Sequence, residues 1–286
     1  MDTHRTTVLA CIDGSTWKEA VVDYAAWVSR TVDAPLKLLH NIEHRENPPL
    51  SDLSGSLGLG TREELLQELT ALEERRSKIL LEQGKLMLEG SRQRAIAAGA
   101  SDPVKVQRHG SLTESLIEME DEIRVLVVGI RGEDHENRLN RIGDQLEGII
   151  RAMHRPLLVV NRPFEKPPTR CMIAYDGSDG ARKALDMVAN SPLYKGMQCH
   201  LVHVSKSAES PLLDDAAAKL RGAGLEVVTA SLQGDVERQL GEYQQQHQVE
   251  LTVMGAFAHG RLRELLFGSV TNHLLANSTM PLLLLR

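Results

Sequence analysis

The chain has 286 residues, 42% of them hydrophobic and 25% charged, but only 3% aromatic, with a formal net charge of −6. That length suits two ordinary domains, and an acidic balance with few stacking rings argues against a nucleic-acid binder. Cys11, Cys171 and Cys199 are too scattered for a disulfide framework or a CxxC metal site, no leader peptide is read, and no apolar run approaches the roughly 18 residues of a membrane span, so a reducing, cytoplasmic location is expected.

The first apolar run, Val8–Ile12, stops at Asp13-Gly14-Ser15. This reads as a buried strand ending in a turn, with Asp or Ser available to cap a helix over Trp17–Ser29. A second strand, Leu36–Ile42, carries Leu39-His40-Asn41. Residues 46–60 are rich in Pro, Gly, Ser and Leu and read as a loop. From Glu63 to Ala98 runs a long helical stretch with Leu65, Leu69, Leu72, Ile79 and Leu86 on a rough heptad face. It is either a core helix extended past the domain edge or a partner surface. Strands follow at Val104–Arg108, Val125–Val128 and Leu157–Val160, and Asn161–Arg170, with Pro163, Pro167 and Pro168, reads as a stiff exposed linker.

The second half repeats the first. Its strands fall at Cys171–Tyr175, His200–Val204, Glu226–Ala230, Leu251–Met254 and Leu282–Leu285, with a helix at Gly180–Ala189. Asp176 follows Asp13 by 163 positions (176 − 13), as His203 follows His40, whereas Gly255 follows Gly129 by 126 (255 − 129). The shorter offset places an insertion, about 46–98, between the second and fourth strands of a first domain spanning 1–162; the second spans 168–286. Continuous Val/Leu/Ile runs imply strands buried on both faces, and strand–helix alternation implies right-handed crossovers. The expected fold is α/β: two tandem doubly wound domains, each a five-stranded parallel sheet flanked by helices. Ligands of such sheets bind beyond the strands' carboxyl ends, here between Asp13 and Gly129 in one half and Asp176 and Gly255 in the other.

In the second half the fourth strand runs into Gly255-Ala256-Phe257-Ala258-His259-Gly260-Arg261, and Gly268-Ser269-Val270 opens the last helix. Glycines let backbone approach an anion, successive amides form a nest, and a helix N-terminus favours phosphate. The Ser269 hydroxyl adds a donor, and Arg261 or His259 adds positive charge. With the Asp-Gly-Ser turn, the strand-two histidine and the closing Pro-plus-apolar strand, this resembles the universal stress protein family. That family's signature is Gly, two residues, Gly, nine residues, Gly, then Ser or Thr. The resemblance covers both halves outside the insertion; Ala258 departs from it, standing where the family has glycine.

The resemblance implies ATP binding, with or without Mg²⁺, in the second half. Ala174 and Asp176 would hold base and ribose, and Val204 would contact adenine. Gly255, Ala258, Gly268, Ser269 and Val270 would form the phosphate and ribose loop. It also implies that Leu157–Val160 pairs with Leu282–Leu285 as an internal pseudo-dimer, and it leaves a homodimer of chains open. In the first half Gly129-Ile130-Arg131-Gly132 keeps both glycines, but ten residues precede Gly143, and Asp144 replaces Ser or Thr. A carboxylate there repels phosphate but caps a helix well, so this half is expected to bind no ATP, or to bind some other ligand.

The expected function is a regulatory or protective stress-response protein binding an adenine nucleotide and an unidentified protein, with neither nucleic acid nor membrane as partner. A nucleotide-free scaffold using the inserted helix is the alternative, favoured by Ala258 and Asp144. A slow ATP hydrolase ranks last, because no general base or acidic metal cluster stands out and no catalytic or metal-binding residue is assigned. Gly84-Lys85 lies in a helical stretch and is no phosphate loop, His40 and His44 make no metal pair, and Gln244–Gln248 reads as a solvated helix end.

Overall fold

In the computed structural model of the chain, residues 6–43, 59–132, 144–205, 212–256 and 269–286 are described. The first half contains β1 (Thr7–Cys11), α1 (Lys18–Thr31), β2 (Leu36–Ile42), α2 (Leu59–Ala97), β3 (Val104–His109), α3 (Leu112–Met119), β4 (Ile123–Gly129), α4 (Asp144–Ala152) and β5 (Leu157–Val160). The second contains β6 (Arg170–Ala174), α5 (Asp179–Asn190), β7 (Gln198–Ser205), α6 (Leu212–Gly222), β8 (Glu226–Gln233), α7 (Val236–Gln246), β9 (Leu251–Gly255), α8 (Ser269–Asn277) and β10 (Leu282–Leu285).

The strands form one ten-stranded sheet in the order β3-β2-β1-β4-β5-β10-β9-β6-β7-β8. Pairing is parallel within each half, and β5 meets β10 antiparallel, with Leu283 opposite Leu158. The expected pseudo-dimer is therefore one continuous sheet. In each half the order reverses between the first and fourth strands, β1/β4 and β6/β9, which opens a crevice beyond their carboxyl ends.

Alternation along the strands divides the core into two layers. Val8 and Ala10 join a cluster with Trp27, Leu88, Ile173 and Leu220 on one face. Leu9 joins Leu116, Ile149, Met172, Leu240 and Leu282 on the other. Both clusters run across the seam between the halves, so neither half closes its core alone.

The inserted helix α2 combines the two readings of its sequence. Its C-terminal part is core, with Leu88, Ser91 and Ala95 buried. Gly84 lets it cross the sheet edge closely: a Cβ there would lie 2.5 Å from His40 Cδ2 and also against Gln107. Arg94 fastens it to α1 by two 2.8 Å hydrogen bonds to Asp23. Farther toward its N-terminus, residues 67–79 are exposed except for half-buried Leu69 and Ser77.

Two local expectations are corrected. The linker is not wholly exposed: Phe164 packs edge-on against Tyr24 at 4.9 Å, and Pro168 is buried. Gln244 does not face solvent either. Its Nε2 donates to Thr252 Oγ1 (3.2 Å), and its Oε1 accepts from Ser278 Oγ (3.2 Å). An amide satisfied at both ends can be buried against a strand where composition alone predicts a wet surface.

His200, 3% exposed, joins β7 to α7. Its Nδ1 lies 2.9 Å from the Tyr243 hydroxyl and its Nε2 3.0 Å from Gln198 Oε1. A neutral ring satisfies both, with Nε2–H donating to Gln198 and Nδ1 accepting from Tyr243. Burial, then the charges of His247 and Arg170, push its pKa below 6.5. The fold thus takes up this proton less readily than the unfolded chain. Its contribution is present above the unfolded pKa and lost as pH falls through the lower folded value. The unfolding free energy should fall between about pH 7.5 and 5.5, with a shallower fall in His200→Gln. Equal slopes in denaturant titrations of the two proteins would contradict this.

Candidate functional site

The crevice of the second half is built on the turn after β6. Asp176 Oδ1 accepts from Ser178 N (2.9 Å), and Ser178 Oγ accepts from Ala181 N (3.0 Å), capping α5. Gly177, at φ +74°, takes the left-handed step this turn needs. The strand-two histidine holds the turn from the side: His203 Nδ1 lies 2.8 Å from Tyr175 O. Its Nδ1–H therefore donates to the carbonyl just before Asp176. The first half repeats the device, with His40 Nδ1 2.8 Å from Ile12 O and Asp13 Oδ1 accepting from Ser15 N (3.0 Å).

Sequence reasoning gave Gly255 to close approach by an anion, but its first requirement is packing. A Cβ at 255 would lie 3.0 Å from Gly180 C and 3.2 Å from Ala181 N. Two glycines thus let the N-terminus of α5 seat against the end of β9. In the first half Trp17 stands where Gly180 does, and its Cβ faces the Gly129 position at 3.0 Å.

Of the remaining expected residues, Ala174, Val204 and Val270 are half-buried and pack against one apolar cluster that includes Met254 and Ala256. Asp176, two residues past Ala174, is exposed. Ser269 opens α8, as the phosphate-end reading requires, while Ala258 and Gly268 lie outside the described residues, as do His259, Arg261, Gly143 and His44.

A third wall was missed in the sequence. Gly234 (φ +134°) follows β8 and donates its N–H to Ser205 O (3.4 Å) at the end of β7, and Asp235 Oδ1 caps α7 through Arg238 N (3.0 Å). Gly110 (φ +98°) and Ser111 do the same before α3. The signal was a Gly-plus-cap pair recurring 124 positions apart (234 − 110).

Side chains of the first half bond across its crevice. Gln145 Nε2 donates to Glu43 Oε1 (2.6 Å), which also accepts from Leu112 N (3.3 Å). Asn41, the counterpart of Val204, donates to Gly110 O and accepts from Ser115 Oγ (2.9 Å). Among the described residues the remaining cavity, lined by Cys11, Asp13, Gly132 and Gln145, measures about 40 Å³. That is room for a few waters. Burial, reinforced by the charge of Asp13, pushes the Cys11 thiol far above its ordinary range, so no thiolate is offered there. Asp144 opens α4. Among the described residues no three His, Cys, Asp or Glu side chains gather as a metal site, and no helix is long and apolar enough to cross a membrane.

Fold and crevices together define a tandem, doubly wound α/β protein with one ligand-type crevice per half. The universal stress protein family model matches residues 4–161 and 209–286. Universal stress protein Slr1230 of Synechocystis sp. is 32% identical over 285 residues, covering 98% of this chain and 99% of that protein. The chain belongs to the universal stress protein family. A universal stress protein from Archaeoglobus fulgidus matches in structure with a TM-score of 0.68 at 17% identity, covering 100% of this chain and 99% of that one. A family protein from Arabidopsis thaliana, solved with AMP bound, aligns with 41% of this chain and 91% of its own, at 16% identity and a TM-score of 0.33.

The Gly180–Gly255 contact predicts that Gly255→Val destabilises the protein by about 2–3 kcal/mol through overpacking, with or without added nucleotide. A chemical-denaturation midpoint equal to wild type would refute the packing role.

Proposed function

We propose that this chain is a cytoplasmic binding protein of the stress response that takes an adenine nucleotide in the crevice of its second half and none in the first. The observation that carries the reading is that Ala174 and Val204, at the carboxyl-terminal ends of β6 and β7, and Val270, in the first turn of α8, stay half-buried against the same face of the sheet, with the exposed Asp176 two residues past Ala174. A flat, weakly polar base suits such a wall, and a carboxylate suits ribose hydroxyls. Phosphates suit the N-terminal amides of α8, where the sequence places Gly268-Ser269. The residues present therefore fit the nucleotide. In the first half Asn41, Glu43 and Gln145 are tied by hydrogen bonds across the same region.

We read the nucleotide as a regulatory ligand that arrives as ATP, with Mg²⁺ carried by its phosphates, and hydrolysis as no part of the function. The divide between the two units falls, in this reading, in the linker at 163–167.

The experiment is to purify the protein without added nucleotide, denature it, and count what is released, then to titrate ATP, ADP and AMP by calorimetry. One nucleotide per chain is expected. Val204→Trp, which fills the wall, should weaken binding about 100-fold or more, whereas Asn41→Val in the other crevice should leave it unchanged. Neither release nor binding heat from a folded wild-type protein would overturn the proposal; two nucleotides per chain would overturn its account of the first half.

A further inference from the structure

The sequence scatters its cysteines, but the fold brings two of them together. Cys171 of β6 stands directly opposite Cys199 of β7, and both side chains lie on the face that holds Ile173 and Leu201. The two sulfurs are 3.1 Å apart, one thiol donating to the other, and both residues are fully buried. Neighbouring strands run about 4.7–4.9 Å apart, within the roughly 4.4–6.8 Å that a disulfide bridges between Cα atoms. The strand spacing therefore suits a bond between these two sulfurs.

Packing alone does not require this pair. In the first half the matching positions, 163 residues earlier (171 − 8 and 199 − 36), hold Val8 opposite Leu36, also fully buried. The second half adds a third polar group. Tyr194 is fully buried in the same cluster, its hydroxyl has no hydrogen-bond partner among the described residues, and the two thiols are the titratable groups that bear on it. A buried hydroxyl without a partner is costly. Its presence is explained if an oxygen atom forms beside it.

We propose that Cys171 and Cys199 are a dithiol oxidation site that takes hydrogen peroxide and closes to a reversible disulfide. The hydrogen bond between them holds the proton on Cys171 and pulls Cys199 below its ordinary value, so Cys199 is the nucleophile. Its sulfur attacks one peroxide oxygen, the O–O bond breaks, and the other oxygen leaves as water with the thiol proton. Cys199 is then a sulfenic acid, its oxygen hydrogen-bonded by Tyr194. The Cys171 sulfur attacks the oxidised sulfur, the S–O bond breaks, and the hydroxyl leaves as a second water with the Cys171 proton. Two electrons have passed from the dithiol to the peroxide. The first step waits for a local opening that admits peroxide, and the second follows at once because the partner sulfur is already in place. In a reducing compartment such a bond is transient, reopened by exchange with other dithiols. No crevice residue takes part, so the site stands apart from the nucleotide reading.

The test exposes the reduced full chain to hydrogen peroxide under native conditions, for as long as amide exchange takes to label β6 and β7. The chain is then denatured, alkylated and mapped by mass spectrometry. A linked Cys171–Cys199 peptide pair, lighter by two hydrogens and separated by dithiothreitol, is expected, and the denaturation midpoint should rise with the link and fall on its reduction. Cys171→Ser should stop at a Cys199 sulfenic acid, trapped with dimedone on denaturation. Cys171→Val combined with Cys199→Leu, the first half's pair, should fold with a midpoint that peroxide does not raise. Tyr194→Phe should slow formation of the disulfide about fivefold or more. Wild-type cysteines 171 and 199 that both stay alkylatable overturn the proposal. So do sulfinic acid without the link, links only between chains, or a link to Cys11. Equal rates in wild type and Tyr194→Phe overturn the part given to the phenol.

Discussion

Four residues of β5 laid antiparallel against four of β10 set the frame for everything else. A parallel five-stranded sheet ends in an open edge strand, a row of unpaired amides and carbonyls that must be covered. Here each half covers the other's: Leu282, Leu283 and Leu284 pair with Val159, Leu158 and Leu157. The seam is held beyond the strands as well. Asn161 Nδ2 donates to Ser278 O (2.7 Å) and Met280 O (3.0 Å), and the Arg286 guanidinium donates to Arg151 O (2.5 Å). Since every other pairing is parallel, the two halves run in opposite directions across this line. Their crevices, both at carboxyl ends, open at opposite ends of the sheet. Any influence of one on the other must pass through strands and shared core.

The strands were legible because they are buried on both faces. A run such as Leu282–Leu285 or Leu36–Ile42 needs no alternation to be read, and the structure places these two where the sequence did. The repeat did the rest, since a turn seen twice at one offset is hard to mistake. What escaped were features whose meaning depends on a distant partner. Gln244 looked like part of a polar tail until Thr252 and Ser278 came to meet it. Phe164 looked like linker until Tyr24 and Trp27 gave it rings to pack on. Gly234 and Asp235 carry a local signal, a glycine followed by a cap, that was readable and passed over.

Of the candidate site, the residues on regular elements were legible and the reason for one of them was not. Ala174, Val204 and Val270 sit where strand ends and a helix start put them. Gly255 was assigned through its tolerance of an approaching anion, but a backbone only about 3 Å from where its Cβ would stand explains it without any ligand. A glycine motif is read as a binding loop because glycine permits close approach; it does not say what approaches. Here, at the first position of the motif, the answer is the protein's own helix.

The comparison of halves separates scaffold from ligand more sharply than either half alone. The histidine that donates to the carbonyl before Asp13 recurs before Asp176, and each aspartate accepts the amide two residues on. That device persists in both halves, although the side chains around it differ. It therefore serves the turn in both halves, whatever else Asp176 does in the second. The positions that differ are the informative ones: Asn41 against Val204, Trp17 against Gly180, Asp144 against Ser269. The first exchanges an apolar wall for a group that must bond to its neighbours. The second replaces the closest helix approach with an indole, and the third sets a carboxylate where a hydroxyl stood. Each change alters the crevice while leaving the strand and its turn intact. A duplicated fold can lose a ligand in one half at little structural cost, because the contacts that hold the turn and the contacts that would hold the ligand fall on different side chains.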